Sequence, residues 1–223
     1  MTEVNLELNQ VPAMKNKRKD SFSPRKSFFL IFLTLVLSVG GWFAVGKYYF
    51  WNNIDATRVN QQLEFYKQKV QSEPNNAKAR VDLGYTYFLK KNNEAAVKEF
   101  NQALVIDPKD FDAYYNMGLV YIDDKRYNEA LSKLSKAVEL SPRDYKGHLG
   151  MGIAYRNLKM FKEAKDSLTT ANKLMPTNAN IIYEIGKVAE DQGDKDLAIE
   201  IYKEVLKFDP LYKSAIDALE HLK

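Results

Sequence analysis

Apolar residues recur along this chain at the spacing of helix faces, and one spacing is then repeated wholesale. Val59, Leu63, Tyr66 and Val70 lie 4-3-4 apart, which predicts an amphipathic helix over 55–72. From residue 77 onward a period of 34 residues is superimposed. Leu83, Met117, Met151 and Ile185 share one register of it, and Tyr87, Tyr121, Tyr155 and Ala189 share a second. Phe100, Leu134, Leu168 and Tyr202 share a third, and Ala103, Ala137, Ala171 and Val205 a fourth. Pro74, Pro108, Pro142, Pro176 and Pro210 punctuate it at the same interval. Proline lacks the N–H of a helix interior and clashes with the preceding turn, so it ends helices. A fixed period of this size marks stacked supersecondary units. The pattern predicts a first helix in each unit near 77–90, 111–124, 145–158 and 179–192. The second helices fall near 93–106, 127–140, 161–174 and 195–208. Residues 213–222 start one more helix, with Ile216, Leu219 and Leu222 on its apolar side and Lys213, Asp217, Glu220 and His221 on the other. Such a helix covers the last apolar face of an array.

Small residues occupy their own registers. Gly84, Gly118, Gly152 and Gly186 align, and so do Ala96, Ala130, Ala164 and Ala198. Two helices approach closely only where side chains are small. Glycine inside a helix costs about 1 kcal/mol against alanine, so four aligned glycines imply a steric requirement larger than that.

This combination of Leu-Gly, Tyr, Ala, a bulky apolar residue, Ala and Pro at fixed offsets resembles the tetratricopeptide repeat. The resemblance covers four repeats, 77–110, 111–144, 145–178 and 179–212, with a linker and capping helix over 52–76 and a closing helix over 213–223. It implies an all-α, right-handed α-solenoid whose first helices line a concave, protein-binding groove. The family's groove positions fall here on Val81, Tyr85, Phe88, Tyr115, Asn116, Leu119 and Ile122 in repeats 1 and 2. In repeats 3 and 4 they fall on Lys146, Leu149, Ile153, Arg156, Tyr183 and Lys187. The face grades from apolar and aromatic to charged, which suits an amphipathic helix or an extended apolar segment as partner. Some members clamp a C-terminal carboxylate. The chain keeps Asn116 and Lys146 of that clamp but has Val81, Tyr85 and Gly150 at its other positions, so it does not meet the requirement. Arg80 and His148 stand where a large apolar residue is usual, which predicts a looser helix face in repeats 1 and 3. Ala189 and Val205 mark repeat 4 as an atypical terminal repeat.

The segment before the repeats has a different character. Residues 28–46 carry no charge, and twelve of them are Phe, Leu, Ile or Val. As a helix they reach roughly 28 Å at about 1.5 Å per residue, close to the roughly 30 Å hydrocarbon core of a bilayer. Tyr48, Tyr49, Phe50 and Trp51 follow as an interfacial belt. The expectation is one transmembrane helix over 28–51, in contact with lipid; a cleaved signal peptide is the alternative, with Ala44-Val45-Gly46 as its cleavage site. Residues 47–54 then reach about 26 Å when extended, which keeps the repeats near the bilayer. Lys15, Lys17, Arg18, Lys19, Arg25 and Lys26 precede the segment, whereas only Lys47 and Arg58 lie in the comparable stretch after it. Excess Lys and Arg mark the cytoplasmic side. A disordered cytoplasmic tail over 1–27 and extracytoplasmic repeats in a cell membrane follow as expectations.

Charge and composition narrow the function classes. The formal net charge is +4, but it resides in residues 1–47; residues 52–223 hold as many acidic as basic side chains. A balanced domain offers no basic face for nucleic acid. The chain has no cysteine and two histidines, His148 and His221, on different helices and without carboxylates at ligand spacing. There is no phosphate-binding loop, nucleophile elbow or zinc-protease motif. No cofactor, metal, small-molecule substrate or enzymatic activity is expected. The acidic pairs Asp123-Asp124 and Glu190-Asp191 are expected to be solvated charges. The chain reads as a membrane-anchored scaffold or chaperone-like assembly factor for other proteins. The alternative is a permanent structural subunit of a secretion, pilus or respiratory complex.

Overall fold

The computed structural model describes residues 52–222. The tail expected over 1–27 and the membrane helix expected over 28–51 lie outside them. The described residues form ten α-helices and no strand. Among them no helix is long and apolar enough to cross a membrane. Helix α1 (Asn52–Ser72) comes first. Four pairs follow: α2 (Ala77–Leu89) with α3 (Asn93–Ile106), and α4 (Phe111–Asp123) with α5 (Tyr127–Leu140). Next come α6 (Tyr145–Asn157) with α7 (Phe161–Leu174), and α8 (Ala179–Asp191) with α9 (Lys195–Phe208). Helix α10 (Lys213–His221) closes the array.

The same short turn enters every pair. The Asn76 N–H donates to the Glu73 carbonyl at 3.0 Å, and equivalent bonds join Asp110 to Asp107, Asp144 to Ser141, Asn178 to Met175 and Tyr212 to Asp209. The periodic proline takes the second place of each turn, where its fixed φ is already correct. The fourth residue is the helix N-cap. Asn76 Oδ1 accepts from the Ala79 N–H at 2.9 Å, and Asp110 Oδ1 from the Ala113 N–H at 2.8 Å. Asp144 Oδ1 accepts from the Lys146 N–H and Asn178 Oδ1 from the Asn180 N–H, one residue earlier in the turn, and these bonds cap α6 and α8. One register of the repeat thus satisfies helix-end N–H groups that have no intrahelical partner.

The first helix of each pair ends on a residue with positive φ: Lys91 at 60°, Lys125 at 60°, Lys159 at 62° and Gly193 at 87°. The N–H of the next residue then reaches back to a carbonyl of the last turn, as from Arg126 to Tyr121 at 2.7 Å. This is the left-handed helix stop that glycine adopts most readily. For other L-residues the conformation costs roughly 1–2 kcal/mol. Lys125 makes no ion pair among the described residues, whereas Lys91 pairs with Asp123 at 2.7 Å. Lys125→Gly is therefore expected to stabilise the array by about 0.5–1 kcal/mol, the strain relieved less the added freedom of the unfolded chain. A higher denaturant midpoint checks this, and an unchanged or lower one refutes it.

Packing explains the aligned glycines. A Cβ on Gly118 would lie 2.5 Å from Leu134 Cγ, and one on Gly152 the same distance from Leu168 Cγ. On Gly84 it would meet the Phe100 ring at 2.7 Å, and on Gly186 the Tyr202 ring at 2.6 Å. Each glycine receives the bulky side chain of its own partner helix. Phe100, Leu134, Leu168 and Tyr202 are all completely buried, as are Ala96, Ala130, Ala164 and Ala198 at the same crossings. Neighbouring first helices touch one another, as α2 touches α4, whereas neighbouring second helices do not approach as closely. The array therefore curves with the first helices on its inner side.

The face carrying Arg80 and His148 is not loose, contrary to the sequence expectation. Arg80 Nη2 and Nε donate to the Pro74 carbonyl at 2.9 and 3.1 Å. Its Nη1 pairs with Glu99 at 3.1 Å and donates to Gln102. His148 Nε2 lies 3.0 Å from the Pro142 carbonyl. A polar side chain here reaches back over the entry turn and ties it down, a contact open only to a long donor. At the ends of the array, Leu63 of α1 is buried and Lys90 donates to Asn60. Ala215 of α10 is fully buried, with Leu219 and Leu222 packed on the core of repeat 4.

Candidate functional site

The inner face is built from α2, α4, α6 and α8, and its character changes along the array. In α2, Tyr85 is 42% and Leu89 45% exposed. Half-buried Phe88 sits beside Tyr85, with ring centroids 6.4 Å apart. The Lys91 ammonium lies 5.7 Å from the centre of the Phe88 ring. Val81 is 6% exposed and belongs to the core; one turn away from Tyr85 it faces inward. The expected stripe thus divides: Tyr85 and Leu89 present apolar surface, and Val81 does not.

In α4, Tyr115, Leu119 and Ile122 are half-buried, as is Asn116. Tyr115 and Ile122 pack on the core cluster. The Tyr115 ring lies parallel to that of Phe111, 5.8 Å away, and burial pushes its phenol up to about 12. Tyr115 therefore holds the groove floor more than it offers a free edge. In α6, Leu149 packs on the core of repeat 3, with Ile153 and Lys146 half-buried beside it.

The charged end is internally paired. Arg156 Nε donates to Glu184 at 3.2 Å and Nη1 to Asp191 at 2.8 Å, joining α6 to α8. Burial pushes the Glu184 carboxyl upward, and the opposing pull of Arg156 does not cancel it. Lys187 pairs with Glu190 at 3.1 Å, and Glu190 also accepts from the Tyr202 hydroxyl. The Tyr183 ring lies tilted against those of Tyr202 and Tyr212, with centroids 5.4 and 5.3 Å away. The acidic pairs are likewise not simply solvated. Asp123 takes Lys91 and Asn93, Asp124 takes Asn93, and Glu190 and Asp191 hold the cations named above. What the inner face offers freely is the apolar pair of repeat 1. Among the described residues no group of three His, Cys, Asp or Glu side chains is placed to hold a metal ion.

Sequence reasoning missed two features here. Gly150 receives Leu134 from the preceding repeat, since a Cβ on it would lie 2.8 Å from Leu134 Cδ2. The groove register puts Arg156 on the inner face but does not reveal it as the link between two repeats. Each is a contact made at a single junction, the first between repeats 2 and 3 and the second between repeats 3 and 4, so no period announces them.

Family profiles agree with this architecture. A profile described as TPR repeat matches residues 84–124, and two described as tetratricopeptide repeat match 111–144 and 179–210. No curated protein sequence matches the chain. Among solved structures it is similar to a thermophilic TPR protein of Thermus thermophilus, TTC0263, with a TM-score of 0.67 and 19% identity over 77% of this chain and 93% of that one. It is also similar to YrrB, described as a TPR protein with an unusual peptide-binding site, with a TM-score of 0.59 and 23% identity over 74% of this chain and 86% of that one. MamA from Desulfovibrio magneticus RS-1 has a TM-score of 0.60 and 19% identity over 86% of this chain and 99% of that one. At such identities the likeness speaks for the fold. The chain carries tetratricopeptide repeats, assembled between a preceding and a closing helix into an all-α solenoid.

Proposed function

We propose that this chain is a membrane-anchored scaffold or assembly factor that captures partner proteins on the inner face of its repeats, outside the cytoplasm. Tetratricopeptide repeats generally mediate protein–protein interactions, and that much rests on the repeats themselves. The observation carrying the finer reading is the exposed pair Tyr85 and Leu89 next to Phe88 on the inner side of the array. Aromatic side chains are common anchors of interfaces. With Arg156, Glu184, Lys187, Glu190 and Asp191 of the inner face paired among themselves, an occupant gains most from apolar side chains in repeats 1 and 2. An amphipathic helix or an extended apolar segment supplies them. The structural neighbour described as peptide-binding has the same fold. For the membrane, the support is the uncharged run 28–46 and the basic residues before it, which favour a cytoplasmic N-terminus.

The test is crosslinking in intact membranes with the full chain and a Tyr85→Ala/Leu89→Ala variant. Tyr115→Ala is a poorer probe, because Tyr115 is stacked on Phe111 and half-buried. Loss of two exposed anchors is expected to weaken partner capture about tenfold or more, with an unchanged circular dichroism spectrum. Undiminished capture by the folded variant places the partner elsewhere.

A further inference from the structure

The junction between repeats 3 and 4 is built differently from the others. One core cluster extends from Val81 in α2 to Ala154 in α6. Another joins repeat 4 to α10, from Ile182 to Ala215. Between them lies a small cluster of Ala164, Leu168 and Val188 with a few half-buried neighbours. In α7, Asn172 stands in the register that holds Leu104, Val138 and Leu206 in the other second helices. Leu104 and Leu206 pack on the adjacent cores, and Val138 lies against Gly147 of the next repeat. Asn172 Oδ1 is buried with no hydrogen-bond partner among the described residues. A buried unpaired carbonyl oxygen retains its full desolvation penalty. On the inner side this junction is closed by Arg156 reaching Glu184 and Asp191. The equivalent of Arg156 is Phe88 in repeat 1 and Ile122 in repeat 2, and both pack on the core. An ion pair drawn out of water repays its desolvation only in part.

In a solenoid each repeat contacts only its neighbours, so the weakest interface decides where the array parts. We propose that the junction of repeats 3 and 4 is the built-in opening point of this array, latched by Arg156, where α8, α9 and α10 release as one unit while α2–α7 stay folded. Opening there removes the charged end of the inner face from the apolar end and so changes the length of groove offered to an occupant.

Native-state hydrogen exchange on the full chain in detergent or nanodiscs tests this. The slowest-exchanging amides of α8 and α9 are expected to exchange together, about tenfold faster than those of α4–α7, with the step falling after α7. Ordinary fraying would instead give a gradual decline at both ends. Asn172→Leu is expected to shrink the step by removing the unpaired carbonyl. Arg156→Met is expected to widen it, leaving two acids without their cation while α2–α5 keep their protection. Two variants guard against a leucine too large for the site. A smooth gradient, a step elsewhere, or a step that neither variant moves overturns the proposal.

Discussion

Gly118→Leu is expected to destabilise the array by about 3 kcal/mol or more, at the upper end of overpacked cores, lowering Tm by roughly 6–12 °C for a domain of this size. The space is already occupied, because a Cβ alone would lie 2.5 Å from Leu134 Cγ. Leu134 has nowhere to retreat. It is completely buried, and its Cδ2 already fills the notch left by Gly150 on the other side. One leucine therefore seals a contact within repeat 2 and a contact between repeats 2 and 3. Gly118→Ala puts helix propensity against this clash, since alanine gains about 1 kcal/mol over glycine in a helix; the clash should win. Leu134→Ala alone should cost about 2–5 kcal/mol through the cavity it leaves. Combined with Gly118→Leu it should recover part of both losses, because the new leucine fills the space the old one vacated. Exposed Lys162 serves as the control, and its replacement should change little. Thermal unfolding followed by circular dichroism decides the matter. A Gly118→Leu variant melting with the parent removes the steric explanation of the aligned glycines.

The contrast between Gly118 and Gly150 shows what the sequence could reveal. The crossing inside a repeat is made four times with the same partners, so its small and bulky positions appear as a period. The helix spans followed from that period and lie within a residue or two of those observed. Asn76, Asp110, Asp144 and Asn178 also form a register, but it ends at Tyr212, and capping was legible only once the turn geometry placed these residues at the helix starts. Arg80 and His148 looked like defects because an apolar-or-polar pattern does not record that a long donor can reach a carbonyl six residues earlier. Contacts between repeats are another matter. Val138 against Gly147, Leu134 against Gly150 and Arg156 against Glu184 each occur once. Their geometry depends on how far one repeat is rotated on the next, which no single position encodes. Exposure on the inner face depends on the same rotation. Val81 and Tyr85 are four residues apart on one helix face, yet one enters the core and the other faces solvent.

Alkaline solution should destabilise the array through its buried tyrosines, Tyr115 in repeat 2 and Tyr202 in repeat 4. Tyr202 is completely buried at the crossing with Gly186, and burial, reinforced by donation to Glu190, pushes its phenol far up. Burial also raises Tyr183, whose ring lies against that of Tyr202, and Tyr212, whose ring lies against that of Tyr183. In repeat 2 it pushes Tyr115 up to about 12, against about 10 for a free tyrosine. The sign follows from linkage. A phenol whose folded pKa lies above its unfolded one holds its proton more tightly when folded, so the unfolded chain loses protons first as pH rises. The contribution is complete below about pH 10 and is lost as pH climbs through the folded value, for Tyr115 between about 10 and 12. Two units at about 1.4 kcal/mol each give a loss of about 2–3 kcal/mol from Tyr115 by the top of that window. Tyr202 continues the loss beyond it. Tyr115→Phe removes the ionisable group while keeping the ring on Phe111, so this variant should lose less stability than the parent over the same interval. Lysines also deprotonate in this range, but they do so in both proteins and drop out of the difference. Denaturant midpoints across the interval, with tyrosinate absorbance followed in parallel, measure it. If parent and variant fall in step, Tyr115 is not held neutral by the fold.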